Sequence, residues 1–139
     1  MRRKHHRTSR CDPSKRLLTY AKRFVGMQFR RHPPPLELDC SQFTQMVFAH
    51  IGVKLPRTSQ AQAKQGLAVN LDDLLPGDLI FYHVPDRNLA LEDVGHVAIY
   101  AGHGKMVHCL PTSNVFLTDM AKPYWNDKVR FARRVLSQK

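Results

Sequence analysis

A cysteine and two histidines are the residues of this sequence best suited to do chemistry together. Cys40 opens the stretch CSQFTQMVFAHIG, whose apolar residues recur at helical spacing, so the pattern predicts a thiol at the N-terminus of a helix. The backbone dipoles and N–H groups at such an end favour a thiolate and can hold a developing oxyanion. On position alone, a structural role remains the more common one for Cys40, because cysteines outside disulfides are usually small buried residues.

His96 and His108 offer the base that a nucleophilic thiol needs. The segments GHVAIYAG and KMVHCL have the composition of strands and are joined by a glycine-containing turn. A hairpin would place the two imidazoles side by side, so that one can take a proton from a thiol while the other orients it. A zinc site built from His96, His108 and a cysteine is an alternative, although the sequence lacks the paired spacing of zinc ligands.

The other histidines have weaker claims to a functional role. Those expected to be exposed in the tail, in loops or in turns are His5, His6, His32, His83 and His103. His50 is expected near a helix C-terminus, where an imidazole interacts favourably with the helix dipole.

Helices are predicted in the first half of the sequence and strands in the second. The predicted helices cover 14–24 with Ser14 as the cap, 40–51, and a short segment capped by Thr58 or Ser59 that stops at Gly66. The strand-like segments are DLIFYHV, GHVAIYAG, KMVHCL, NVFLTD and VRFARRVL. Helices followed by strands predict an α+β fold with an antiparallel sheet.

Charge is concentrated at the N-terminus of the sequence. The 139 residues include 22 Lys and Arg against 11 Asp and Glu, and residues 1–16 hold seven basic residues against one acidic residue. We predict a disordered basic tail over 1–13 and a single domain over 14–139. The tail suits an anionic polymer, but no zinc-finger spacing, RNP-like motif or helix-turn-helix pattern indicates a specific nucleic-acid partner.

Several functional classes lack a signal in this sequence. Three cysteines at irregular spacing form neither a disulfide framework nor a CxxC metal site. No apolar run reaches the roughly 18 residues of a membrane span, and no apolar stretch follows the basic head as in a signal peptide.

Five motifs, in order, resemble those of the NlpC-type cysteine peptidases, which are bacterial cell-wall hydrolases with a papain-like core. LDCSQF resembles the nucleophile motif DCSGF, LPRTSQAQ the LPRTS segment, and LLPGDLIFY the PGDLVFF strand. GHVAIYAGHGKMVHC resembles the HVGIYxGxGxxIHA hairpin, and PYWNDKVRFARRVL the closing strand with YW and ARRV. Within this family, the motifs resemble most those of the murein endopeptidase lipoproteins of Gram-negative envelopes.

The resemblance implies a fold and a set of site residues. The fold is an α+β papain-like core, with N-terminal helices on a mainly antiparallel sheet of about five to six strands. Cys40 is then the nucleophile, His96 the general base and acid, and His108 the polar third member that orients His96. The positions that match the family's substrate groove are Asp39, Ser41, Arg57 and Ser59. Asp39 can equally be a helix cap and Ser41 an ordinary first-turn residue.

The implied activity is hydrolysis of amide bonds in peptidoglycan stem peptides, either D-glutamyl-diaminopimelate or D-alanyl-diaminopimelate bonds, through an acyl-enzyme on Cys40. The resemblance implies no cofactor and no metal. Expected partners are stem peptides and, through the basic tail, anionic envelope polymers. The expected location is the bacterial periplasm, the envelope or the secreted fraction, including delivery against a competitor's wall. A catalytically altered binding or regulatory module, or an amidase or acyltransferase on the same core, are the alternatives.

Three departures from the family pattern concern the groove. Gln42 replaces the glycine usual after DCS, so we expect its side chain to crowd the groove. Phe29 lies where relatives carry a tyrosine thought to assist at the oxyanion, which leaves this role to the Cys40 N–H. The segment HVPDRNLALEDVG before His96 is longer than a hairpin needs, and we expect it to overhang the cleft.

Overall fold

The computed structural model describes residues 12–27, 39–84, 94–110 and 114–136. In these ranges the helices are α1 (Pro13–Lys22), α2 (Cys40–His50), α3 (Ser59–Gln62) and α4 (Pro123–Asn126), with a 3-10 turn at Leu71–Asp73. The strands are β1 (Leu67–Val69), β2 (Leu79–Tyr82), β3 (His96–Gly102), β4 (Lys105–Cys109), β5 (Val115–Asp119) and β6 (Val129–Arg134). No helix within the described ranges has the length and apolar character needed to span a membrane.

The six strands form a single antiparallel sheet in the order β1-β6-β2-β3-β4-β5. The predicted α+β fold with an antiparallel sheet of five to six strands is therefore confirmed. β1 had no predicted counterpart, because three residues are too few to show an alternating pattern. It pairs closely with β6: a side chain at Gly66 would collide with the backbone carbonyl of Arg134.

The prediction that Ser14 caps α1 is wrong. Asp12 caps this helix, and its carboxylate accepts hydrogen bonds from the Ser14 N–H at 3.0 Å and the Ser14 hydroxyl at 2.8 Å. Pro13 takes the first helical position, where its missing N–H costs nothing. The helix ends at Lys22, before the predicted end at Phe24.

α2 packs against α1, β3 and β4. Its buried residues are Cys40, Ser41, Phe43, Thr44, Val47 and Phe48. Phe48 is fully buried, whereas its apolar neighbour Ala49 is exposed. The buried face of α2 is thus broader than the sequence pattern indicated, because the sheet covers one side of the helix and α1 covers another.

Alternation along the strands gives the sheet two distinct faces. The face toward α2 carries one buried cluster, which includes Leu79, Phe81, Val97, Ile99, Val107 and Cys109. The other face carries a smaller cluster of Ile80, Tyr82, Val84, Ala98 and Met106, against which Trp125 packs. His96 and His108 are even-numbered positions of β3 and β4, and both of their rings contact Trp125.

Candidate active site

Cys40 is the first residue of α2, as predicted. Asp39 caps the helix: its carboxylate accepts from the Gln42 N–H at 2.7 Å, and the Gln42 side-chain carbonyl accepts from the Asp39 N–H at 3.4 Å. This reciprocal cap uses the Gln42 N–H, while the N–H groups of Cys40 and Ser41 also point out of the helix end. Cys40 is 5 % exposed. The helix end therefore favours negative charge on Cys40 and on a group bound beside it.

Gln42 has a role that the sequence did not indicate. Glycine, the usual residue of relatives at this position, has no side chain with which to close a capping box. Here Gln42 closes it, so the departure from the family motif supports the helix that carries Cys40.

A polar network joins three of the four residues predicted to bind substrate. Arg57 donates to the Ser41 hydroxyl oxygen at 3.0 Å and forms an ion pair with the Asp39 carboxylate at 3.1 Å. The Ser41 hydroxyl donates to the same carboxylate at 3.1 Å. The structural alternatives are confirmed, because Asp39 is the cap and Ser41 lies in the first turn. Both side chains also contact Arg57.

The fourth of these residues, Ser59, lies at the first position of α3 and is buried. Among the described residues, its side chain makes no hydrogen bond to the network of Asp39, Ser41 and Arg57. Thr58 caps α3 by accepting from the Ala61 N–H at 3.1 Å, which confirms the predicted cap.

Gln62 holds α3 against α2, a contact that no sequence signal indicated. Its fully buried amide donates to the backbone carbonyls of Ser41 at 3.0 Å and Pro56 at 2.9 Å. Its carbonyl accepts from the Thr44 hydroxyl at 2.7 Å. This amide fixes the LPRTS segment relative to the first turn of α2.

The two histidines predicted to meet do so. β3 and β4 are antiparallel neighbours, and their register makes His96 and His108 diagonal neighbours on one face. His96 Nε2 lies 2.8 Å from His108 Nδ1, within hydrogen-bonding distance. His108 Nε2 lies 3.0 Å from the hydroxyl oxygen of Thr118 on β5. His96, His108 and Thr118 therefore form a row of polar contacts with His108 in the middle.

An aromatic wall covers the imidazole pair. The Trp125 ring lies 5.1 Å from the rings of both His96 and His108, and 5.2 Å from that of Tyr82. Burial lowers the pKa of His108 from 6.5 to about 4, so this imidazole is neutral at neutral pH. A neutral imidazole can accept a hydrogen bond from its neighbour at the same time as it donates one.

The thiol of Cys40 is buried against the strands that carry the imidazoles. Cys40, Val97 and Cys109 belong to the same buried cluster, and Val97 and Cys109 directly follow His96 and His108 in sequence. Burial, together with negative charge on Cys40 and Asp39, raises the pKa of Cys109 to about 12. The two thiols are therefore close enough to interact electrostatically, and Cys109 stays protonated when Cys40 is charged.

The alternative of a zinc site is not supported by the arrangement. His96 Nε2 and His108 Nδ1 lie 2.8 Å apart, the distance of a hydrogen bond between the two rings. Across the described ranges, no group of three or more His, Cys, Asp or Glu residues is arranged to hold a metal.

The remaining histidines differ in part from expectation. His83 was expected to be exposed but is only 3 % exposed. It follows β2 directly, and its backbone N–H donates to the backbone carbonyl of Lys128 at 3.0 Å. His50 stacks on Tyr20 at 3.7 Å, and His103 is exposed in the β3–β4 turn as expected. The predictions for Phe29, for the segment before His96 over 85–93, for His5, His6 and His32, and for the basic tail up to residue 11 lie outside the described residues.

Comparison with known proteins identifies a family and several relatives. The family model described as the NlpC/P60 family matches residues 23–134. The murein DD-endopeptidase MepS/murein LD-carboxypeptidase of Escherichia coli K12 is 35 % identical over 102 residues, which cover 73 % of this chain and 51 % of that protein. The gamma-DL-glutamyl hydrolase of Bacillus subtilis strain 168 is 32 % identical over 125 residues, covering 88 % of this chain and 30 % of that protein.

A solved structure shows the same likeness. The crystal structure of an NlpC/P60 family protein from Bacillus cereus superposes with a TM-score of 0.76 at 30 % identity, covering 89 % of this chain and 40 % of that one. This chain spans about half of the length of the Escherichia coli relative and less of the others. The resemblance seen in the motifs is confirmed, and the chain belongs to the NlpC/P60 family.

Proposed function

We propose that this protein is a peptidoglycan hydrolase, a thiol endopeptidase that cleaves amide bonds in murein stem peptides. The observation that carries the proposal is the 2.8 Å contact between His96 and His108, on two strands against which the Cys40 helix packs. The relatives' names support the substrate class, since they describe a murein endopeptidase and a gamma-DL-glutamyl hydrolase.

In the proposed reaction, the Cys40 thiolate attacks the amide carbonyl and His96 delivers a proton to the leaving amine. The N–H groups at the start of α2 stabilise the oxyanion that forms during the attack. Water, deprotonated by the same imidazole, then releases the acyl group from Cys40. His108 holds His96 in place, and its neutrality matters because a charged imidazole at 108 would oppose the imidazolium that His96 becomes.

The stem peptide is proposed to contact the polar network beside Cys40. Asp39, Ser41 and Arg57 combine a carboxylate, a hydroxyl and a guanidinium, groups that can bind the charged and amide groups of a short peptide. Ser59 is proposed to line the same groove from α3. The bond cut is either D-glutamyl-diaminopimelate or D-alanyl-diaminopimelate.

The site of action is proposed to be the bacterial periplasm, the cell envelope or the medium, where murein is accessible. The basic tail over 1–13 is proposed to add affinity for anionic envelope polymers, since the full chain carries a net charge of +11.

The test is muropeptide mass spectrometry after digestion of diaminopimelate-type sacculi. Cys40→Ala should abolish release, and the new termini left by the unaltered protein would name the bond. Cys109→Ala is the matched control, because it removes the neighbouring buried thiol and should leave release intact. Release by Cys40→Ala equal to that of the unaltered protein would overturn the assignment.

A further inference from the structure

We propose that Thr118 is a positioning residue that sets the tautomer of His108 and, through it, that of His96. The inference rests on the proposed function in one respect, because it takes His96 to be the general base. Thr118 itself touches neither Cys40 nor a reacting atom in the proposed chemistry.

The geometry is a chain of two hydrogen bonds. Thr118 lies on β5 opposite Met106, and its hydroxyl oxygen is 3.0 Å from His108 Nε2. His108 Nδ1 is in turn 2.8 Å from His96 Nε2. His108 is 1 % exposed, so Thr118 and His96, rather than bulk water, satisfy its two nitrogens.

Two proton arrangements fit these distances. In the first, His108 carries its proton on Nε2 and donates it to Thr118, so that His108 Nδ1 accepts from His96 Nε2–H. In the second, Thr118 donates to His108 Nε2, and His108 Nδ1–H donates to His96 Nε2. Neutral His96 then carries its proton on Nε2 in the first arrangement and on Nδ1 in the second.

Only in the first arrangement can His96 act as a base toward a thiol. Because His96 Nε2 faces His108, the proposed chemistry assigns the other ring nitrogen, His96 Nδ1, to the thiol. In the first arrangement this Nδ1 has a lone pair that can take the proton of Cys40. The imidazolium that results still donates from Nε2 to an accepting His108.

Thr118 stabilises the first arrangement in a buried site. A buried N–H without a partner is strongly disfavoured, and the Thr118 oxygen is the acceptor that the structure places at His108 Nε2. The Thr118 side chain is only partly buried, so solvent can accept its own proton. Without this acceptor, His108 would carry its proton on Nδ1 instead and donate it to His96.

The test compares Thr118→Val, which keeps the shape and removes the hydroxyl, with Thr118→Ser, which restores the hydroxyl. Imidazole ¹⁵N chemical shifts of the full chain report the tautomers directly, and His96→Asn and His108→Asn variants assign the signals. We expect the proton of His108 on Nε2 in the unaltered protein and in Thr118→Ser, and on Nδ1 in Thr118→Val. The kcat of muropeptide release should fall about tenfold or more in Thr118→Val, with KM nearly unchanged, and recover in Thr118→Ser.

Unchanged tautomers in a folded Thr118→Val variant would overturn the proposal, as would equal losses of kcat in the valine and serine variants. The NMR measurement needs no turnover. If Cys40→Ala released muropeptides normally, the proposed hydrolysis would fail, while the assignment of Thr118 would still be decided by the ¹⁵N shifts.

Discussion

Mild acid should destabilise this protein through one buried histidine. Burial lowers the pKa of His108 to about 4 in the folded protein, against 6.5 for an ordinary histidine. His96 on β3 and Tyr82 on β2 are the titratable groups that share its buried face of the sheet, and neither supplies a negative charge at this pH. Protonated His108 therefore has no negatively charged partner among the described residues.

The sign and size of the effect follow from proton linkage. Because the folded pKa lies below the unfolded one, the unfolded chain binds more protons between these two values, so stability falls as the pH falls. The contribution is fully present above about pH 6.5 and decreases as the pH drops toward 4. With the cited values it amounts to about 2 kcal/mol between pH 7 and pH 5, and to roughly 3 kcal/mol by pH 4.

The assay is urea unfolding of the unaltered protein and of His108→Gln, which cannot titrate, at pH 7, 6, 5 and 4. Carboxylates become protonated in acid in both proteins. The difference between the two plots of unfolding free energy against pH therefore isolates His108. We expect the unaltered protein to lose about 2 kcal/mol more than the variant between pH 7 and pH 5. Parallel loss in both proteins would refute the assignment of a buried, neutral His108.

Two further predictions concern the Cys40 helix and its neighbouring thiol. Gln42→Gly should lower the free energy of unfolding by about 1 kcal/mol, because it opens the capping box, and Gln42→Ala separates that loss from the flexibility of glycine; unchanged urea unfolding in both variants would contradict the capping role. Because the pKa of Cys109 is raised to about 12, iodoacetamide at pH 8 should modify Cys40 much faster than Cys109 in the folded protein, as measured by peptide mass mapping. Equal rates at the two thiols would show that Cys109 is neither buried nor held protonated.

Those parts of the site that depend on local signals could be predicted from the sequence. Apolar periodicity placed Cys40 at a helix N-terminus, and the glycine turn between two strand-like segments placed His96 beside His108. In both cases the interacting groups lie within one element or one hairpin. The pairing of β3 with β4 can therefore be predicted from the hairpin segment alone.

The partners of the imidazoles could not be predicted, because they depend on long-range register. Thr118, rather than Phe116 or Leu117, meets His108 Nε2 only because β5 pairs with β4 in the observed register. A shift by one residue would turn the hydroxyl to the opposite face. Trp125 comes from a short helix that no periodic pattern indicated, and its contact with both histidines depends on how the chain returns from β5 to β6.

Arg57 offsets the negative charge of Asp39 beside Cys40. A carboxylate that caps the Cys40 helix also lies next to the thiol, where its charge opposes formation of a thiolate. The Arg57–Asp39 ion pair has side chains 50 % and 42 % exposed, and pairs this accessible contribute only about 0–1 kcal/mol to folding. Its main consequence is therefore local: the guanidinium offsets the carboxylate charge, so that the capped helix end keeps its net preference for negative charge on Cys40. The cap and the guanidinium together combine a stable helix start with a helix end at which Cys40, the proposed nucleophile, can ionise.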